Sequence, residues 1–205
     1  MSNFTPRLTV PDPDDLRWIK VESGGYNQCI YGIYGPPSVL PNCTGYVHGR
    51  AMEIAGVNSD TLGLSFGNAC EYYSGSSSDW TQSSEPSLGA IACYYQISTG
   101  WAPGHVAVVE EIIDADTVVI SESNYSTLPG TYFRTWTIRR EWNWSPFPDP
   151  SDYLVSFQGF LTNPYVQPEP PTPPGGKGKY AILLVAGKRK RRDQNGRIKR
   201  YSDLI

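Results

Sequence analysis

Polar and apolar positions change their period along the chain. Residues 1–25 are polar and rich in Pro, Asp and Gly, and they read as an extended lead-in. Residues 29–41 (CIYGIYGPPSVLP) are broken by Gly32, Gly35, Pro36, Pro37 and Pro41, too many breakers for a helix. From Cys43 onward Tyr46, Val47, Ala51 and Ile54 recur at helical spacing with no proline between them. Asn42 suits an N-cap and Gly56 a stop, which predicts a helix over 43–55. A second, short helix is predicted over 67–73. After a Ser/Gly-rich loop (74–84) the period becomes that of strands. The candidates are Gly89–Tyr95, His105–Ile112, Thr117–Ser121, Tyr132–Ile138 and Val155–Leu161. Helices first and strands later, with short connections, imply an α+β domain with a mostly antiparallel sheet.

Length and composition narrow this picture. The chain has 205 residues, 39% of them hydrophobic, enough for one domain with a core and a small appendage. Gly (20) and Pro (18) are abundant and charged residues make up only 18%, which argues against a coiled coil or a helical bundle. No apolar run approaches the ~18 residues that span a bilayer. Residues 164–176 (PYVQPEPPTPPGG) read as a semi-stiff linker. The expected division is a body over 1–163, this linker, and a basic tail over 177–205. The tail holds 10 of the 17 basic residues and two of the 20 acidic ones, a net charge near +8, so the body is acidic. Such a body is a poor nucleic-acid binder, and no nucleic-acid partner is expected. The tail suits a polyanion, although a charge run can also be merely solvated. Residues 1–17 show no basic segment followed by an apolar one, so synthesis in the cytoplasm with reduced thiols is expected.

Candidate chemistry is confined to few residues. There are two histidines, His48 and His105, and four cysteines, at 29, 43, 70 and 93, with no CxxC pair. Cys43 falls at the first turn of the predicted helix, where unpaired N–H groups and the helix dipole favour a thiolate and can hold an oxyanion. His105 opens a predicted strand after Pro103–Gly104, at the rim of the sheet. Glu122 lies at the end of the next strand, so a hairpin would bring it to the same edge, where it could orient the imidazole. Asn124, with the same facing, could share that task. Cys29 follows Gln28 but lacks a helix to activate it. His48 is five positions past Cys43, about 140° round the helix, and reads as a surface histidine. Cys70 and Cys93 read as buried, inert thiols.

The stretches GGYNQCI, LPNCTGYVHGRAMEIAG, PSLGAIACYY, GHVAVVEEI, ISESNY and VSFQGFL resemble the CHAP domain, the cysteine, histidine-dependent amidohydrolase/peptidase family of phage lysins and bacterial cell-wall hydrolases. The resemblance covers residues 6–164. It implies a papain-like α+β fold with N-terminal helices packed on the sheet. It matches the nucleophile to Cys43, the general base to His105, the acidic member to Glu122, and a variable polar position to Asn124. It further implies hydrolysis of an amide in the peptidoglycan stem peptide or its cross-link, as an amidase or an endopeptidase. Trp101 and Tyr46 are placed along the substrate groove, with ordinary packing as the alternative for Trp101, and loop 74–84 is a candidate groove wall. No Asp-rich calcium loop precedes Cys43, so neither a metal nor a cofactor is expected. The expected partner is bacterial peptidoglycan, with anionic wall polymers for the tail. The expected setting is a phage lysin or virion-associated enzyme, or a bacterial protein exported by another route. A non-catalytic wall-binding or phage-tail protein of the same fold is the alternative.

Overall fold

The computed structural model describes residues 4–96, 103–124, 132–146 and 155–166. Its principal helix, α1, spans Cys43–Ala55. The Asn42 side chain accepts from the Gly45 N–H at 2.9 Å, satisfying one orphan donor of the first turn. Gly56 ends the helix at φ 67°, its N–H returning to Glu53 O. The second predicted helix is a 3-10 turn at Ala69–Glu71 running into a single turn, α2, at Tyr72–Gly75.

Six strands follow: β1 Thr81–Ser83, β2 Ile91–Gln96, β3 His105–Asp114, β4 Thr117–Ser123, β5 Phe133–Arg139 and β6 Val155–Thr162. They form one antiparallel sheet in the order β1-β6-β2-β3-β4-β5. The α+β expectation therefore holds, and five of the six strands fall where the alternating pattern put them. The short edge strand β1 lies inside the Ser/Gly-rich loop, where only pairing to β6 reveals it.

The sheet buries both faces. Ile91, Cys93, Val106, Val108 and Leu161 pack toward α1 with Tyr46, Val47 and Met52. Ala92, Tyr94, Ala107, Val109, Ile120 and Phe160 form a second apolar layer with Trp144. The parity along β2 and β3 assigns odd and even positions to opposite faces, as a pleat requires. Where both faces are covered, in β2 and the first half of β3, the strands read as nearly continuous apolar runs, whereas β5 keeps several exposed positions.

The N-terminal segment departs from expectation. Residues 16–18 form a 3-10 turn, and Trp18 is buried against α1. A Cβ at Gly49 would stand 2.5 Å from the Trp18 indole nitrogen, so the helix needs glycine there to accept the ring. The sheet covers one side of α1 and this segment another, so ten of its 13 residues are buried. A buried charge network ties the parts together. Arg50 donates to both Glu110 oxygens, at 3.0 and 2.8 Å, Ser121 Oγ donates to Glu110 at 2.6 Å, and the Arg7 N–H donates to it at 2.8 Å. Fork-like, charge-assisted bonds of this kind fix geometry as well as adding energy. The linker beyond residue 166 and the 177–205 tail lie outside the described residues.

Candidate active site

The rim of the sheet where β3 begins and β4 ends meets the start of α1. The Asn42 N–H donates to Ser123 Oγ at 3.2 Å, fastening the helix start to the end of β4. Cys43, half-buried, is the next residue. Gly104 precedes β3 at φ 73°, and a Cβ there would stand 2.5 Å from Tyr94 O. Only glycine makes that turn at that distance, and it delivers His105 to the rim. β3 and β4 pair with Val108 opposite Ser121, so His105 and Glu122 fall near one edge, as a hairpin predicts.

His105 and Glu122 are joined by a bond of 2.5 Å from Nε2 to Oε2. Glu122 is 2% exposed and its other oxygen accepts from Trp136 Nε1 at 2.8 Å. Both carboxylate oxygens are thus engaged, which fixes the plane of the group. With Nε2 committed, Nδ1 is the ring nitrogen left for the Cys43 thiol, which is close enough to act on the His105 proton. Burial acts to lower the His105 pKa, but Glu122 and Cys43 outweigh it and push it up to about 10. Burial likewise acts to raise the Glu122 pKa, yet the His105 charge and the bonds from His105 and Trp136 hold it below its usual range. The arrangement is a cationic imidazole held between a carboxylate and a half-exposed thiol. Such a group can stabilise a thiolate, deliver a proton and accept one back.

The remaining expectations divide. Asn124 is half-buried beside this edge, its N–H donating to Tyr132 O at 2.8 Å. Tyr46 is not on a groove wall. It is fully buried, its hydroxyl 2.7 Å from Ser121 Oγ, because its position on α1 faces the sheet and meets the Glu110 network. Trp101 lies outside the described residues. Cys70 is half-exposed rather than buried, its N–H donating to Pro103 O. Cys93 is buried, and burial raises its thiol pKa. Trp136 was not anticipated. Its place on β5 opposite Ile120, two register positions from Glu122, needed strand register to find.

His48 is a correction. It points away from Cys43 as the helical angle requires, but it is fully buried, since that side of α1 is covered too. Its Nδ1 lies 2.6 Å from Asp60 Oδ1 and its Nε2 3.0 Å from Ser65 O, with Phe66 stacked on the ring. Burial acts to lower the His48 pKa, but Asp60 and Cys29 outweigh it and push it up to about 10. The ligand atoms of Cys29, His48 and Asp60 all lie within 4.8 Å of one another. A second cysteine–histidine–acid constellation is therefore present in the same domain, and all three of its members are buried.

Residues 23–124 match the family model described as the CHAP domain. Comparison with curated proteins gives no match. Among solved structures the chain is similar to the crystal structure of an N-acetylmuramoyl-L-alanine amidase from Staphylococcus aureus, at 21% identity and a TM-score of 0.39. That likeness covers 76% of this chain and 38% of the amidase chain. The chain thus spans well under half the length of that relative.

Proposed function

Since residues 23–124 of this chain are a CHAP domain, we propose that it hydrolyses an amide bond in the stem peptide of peptidoglycan or in its cross-link, with Cys43 as nucleophile. The observation that carries this reading is His105, held at 2.5 Å by Glu122 at the rim where the half-exposed Cys43 opens α1. The Cys43 sulfur attacks the amide carbonyl carbon. The Gly45 N–H is taken by the Asn42 side chain and the Tyr46 N–H by the Asn42 carbonyl, so among the described residues Cys43 and Thr44 are the first-turn positions left to donate to the oxyanion. The C–N bond breaks as His105 gives its proton to the leaving amine, and a thioester remains on Cys43. Water then attacks the thioester, His105 takes its proton, and the acid product leaves with the thiolate restored. Glu122 touches no substrate in this scheme. It orients the imidazole and stabilises its charged form, and Asn124 lines the same edge.

Digestion of purified peptidoglycan, followed by mass spectrometry of the fragments, tests the reading. New stem-peptide termini released by the native chain, and not by Cys43→Ala, are expected. Full release by Cys43→Ala would overturn it. On the proposed reading residues 1–163 are the catalytic body, and the basic 177–205 tail holds it to anionic wall polymers, a role supported by its charge alone. Deleting 177–205 should weaken wall binding at low salt and matter little at high salt. Unchanged low-salt binding would dismiss the tail from that role.

A further inference from the structure

Cys29, His48 and Asp60 come from three separate segments: the loop before α1, the middle of α1, and the loop after it. Sulfur, imidazole nitrogen and carboxylate oxygen are the donor types that hold zinc. These residues are 3%, 0% and 2% exposed, yet their ligand atoms gather within 4.8 Å. A tetrahedral zinc with bonds of about 2.0–2.3 Å needs its ligand atoms about 3.3–3.8 Å apart, so the cluster is close to that spacing already.

The surroundings fit a metal site. His48 Nε2 faces the Ser65 carbonyl at 3.0 Å, the outer contact that commonly fixes a metal-bound imidazole and leaves Nδ1 as the ligand. The second Asp60 oxygen accepts the Gln28 N–H at 2.8 Å, and the Asp60 carbonyl accepts from Gln28 Nε2 at 3.0 Å. The Cys29 N–H is held by Asn27 Oδ1 at 3.0 Å. All three ligands are therefore braced from behind. A separate observation points inward: the Tyr72 hydroxyl, fully buried and beside Cys29 and Thr44, makes no hydrogen bond of normal geometry among the described residues. Buried polar atoms are nearly always partnered, so this one is a group awaiting something.

We propose that Cys29, His48 and Asp60 form a structural zinc(II) site, with Tyr72 facing the fourth position directly or through a water. In this structure both His48 nitrogens face acceptors, so the ring donates from both. Binding replaces the Nδ1 proton of His48 and the Cys29 thiol proton with one divalent ion. Two positive charges leave and two arrive, so the sealed pocket gains no net charge. The site would staple the two loops to α1 behind Cys43. It does not rest on the reading of Cys43, because no ligand is shared.

The test loads the full chain with zinc or cobalt(II), dialyses it, and measures retained metal and the thiolate-to-cobalt absorption. The native chain and Cys43→Ala should each retain one equivalent and show the band. Cys29→Ser and Asp60→Asn should weaken binding by more than the about 10–100-fold typical of outer contacts. A native chain that retains no metal, a band that survives Cys29→Ser, or a band lost in Cys43→Ala would each overturn the proposal. Should the variants fail to fold, the native chain still decides. Zinc should raise its melting temperature and slow alkylation of Cys29 under mild denaturation, leaving Cys43 alkylation unchanged. Cys29 labelling that ignores zinc would refute the site.

Discussion

Two cysteine–histidine–carboxylate groups each take one member from α1 and differ mainly in their access to solvent. Around Cys43 the thiol is half-buried and the imidazole is 19% exposed, and only the carboxylate is sealed. Around Cys29 all three side chains are sealed. Both imidazoles are raised to about 10 by the same pairing with a carboxylate and a thiol. Residue type and charge pairing therefore do not separate a reacting group from a holding one. Position on the helix does. Cys43 stands at the first turn, with open N–H donors and the sheet rim beside it. His48 stands mid-helix, where every backbone group is spent and the flanks are covered.

The sharpest way to break this contrast is Cys43→Ala. Hydrolysis of purified walls should fall by about 10⁴-fold or more, as when a nucleophile is deleted, with the circular dichroism spectrum unchanged. On the other side, Asp60→Asn leaves the buried His48 without its counter-charge. A loss of about 3–5 kcal/mol in unfolding free energy is expected from denaturant titration. Near-normal stability would mean that the sealed group is not a buried ion pair. Glu122→Gln keeps the shape but removes the charge. Turnover should fall by about 10²-fold or more, and the alkaline limb of the pH–rate profile should move to lower pH, because the imidazolium loses its main support. An unmoved limb would separate Glu122 from the His105 titration. The pH dependence of stability sharpens the likeness. A raised histidine pKa contributes stability that is fully present below the unfolded value near 6.5 and is lost as pH rises through about 10. Melting temperature should therefore decline across that window, and less so in Asp60→Asn. The smallest effect belongs to Trp136→Phe, which removes one bond to Glu122. About 1 kcal/mol and a less than tenfold change in turnover are expected.

Much of the rim site was legible because its signals are local. Asn42 and Gly56 bracket α1 at the observed residues, and the spacing between His105 and Glu122 is that of a hairpin. The sealed site was not legible. Its members come from two loops and a helix, and the loops carry no period from which to infer contact. His48 was misjudged for a related reason. A helical angle says which way a side chain points, not whether something covers it. Here the cover comes from the loops that flank α1, which bring Cys29, Asp60, Ser65 and Phe66 against the ring. Tyr46 shows the same limit, since proximity in sequence to Cys43 put it near the chemistry but on the inner side of the helix.

Asn42 does two jobs with one residue: its side chain starts α1 and its backbone N–H is tied to Ser123. The sulfur and the imidazole are thereby held in step by a short local latch between the start of α1 and the end of β4, independent of whatever segments border the rim. On the proposed reading, those borders could be lengthened, shortened or exchanged to accept other wall peptides without retiming the reacting atoms. An engineer seeking new specificity should start with them and leave the latch alone.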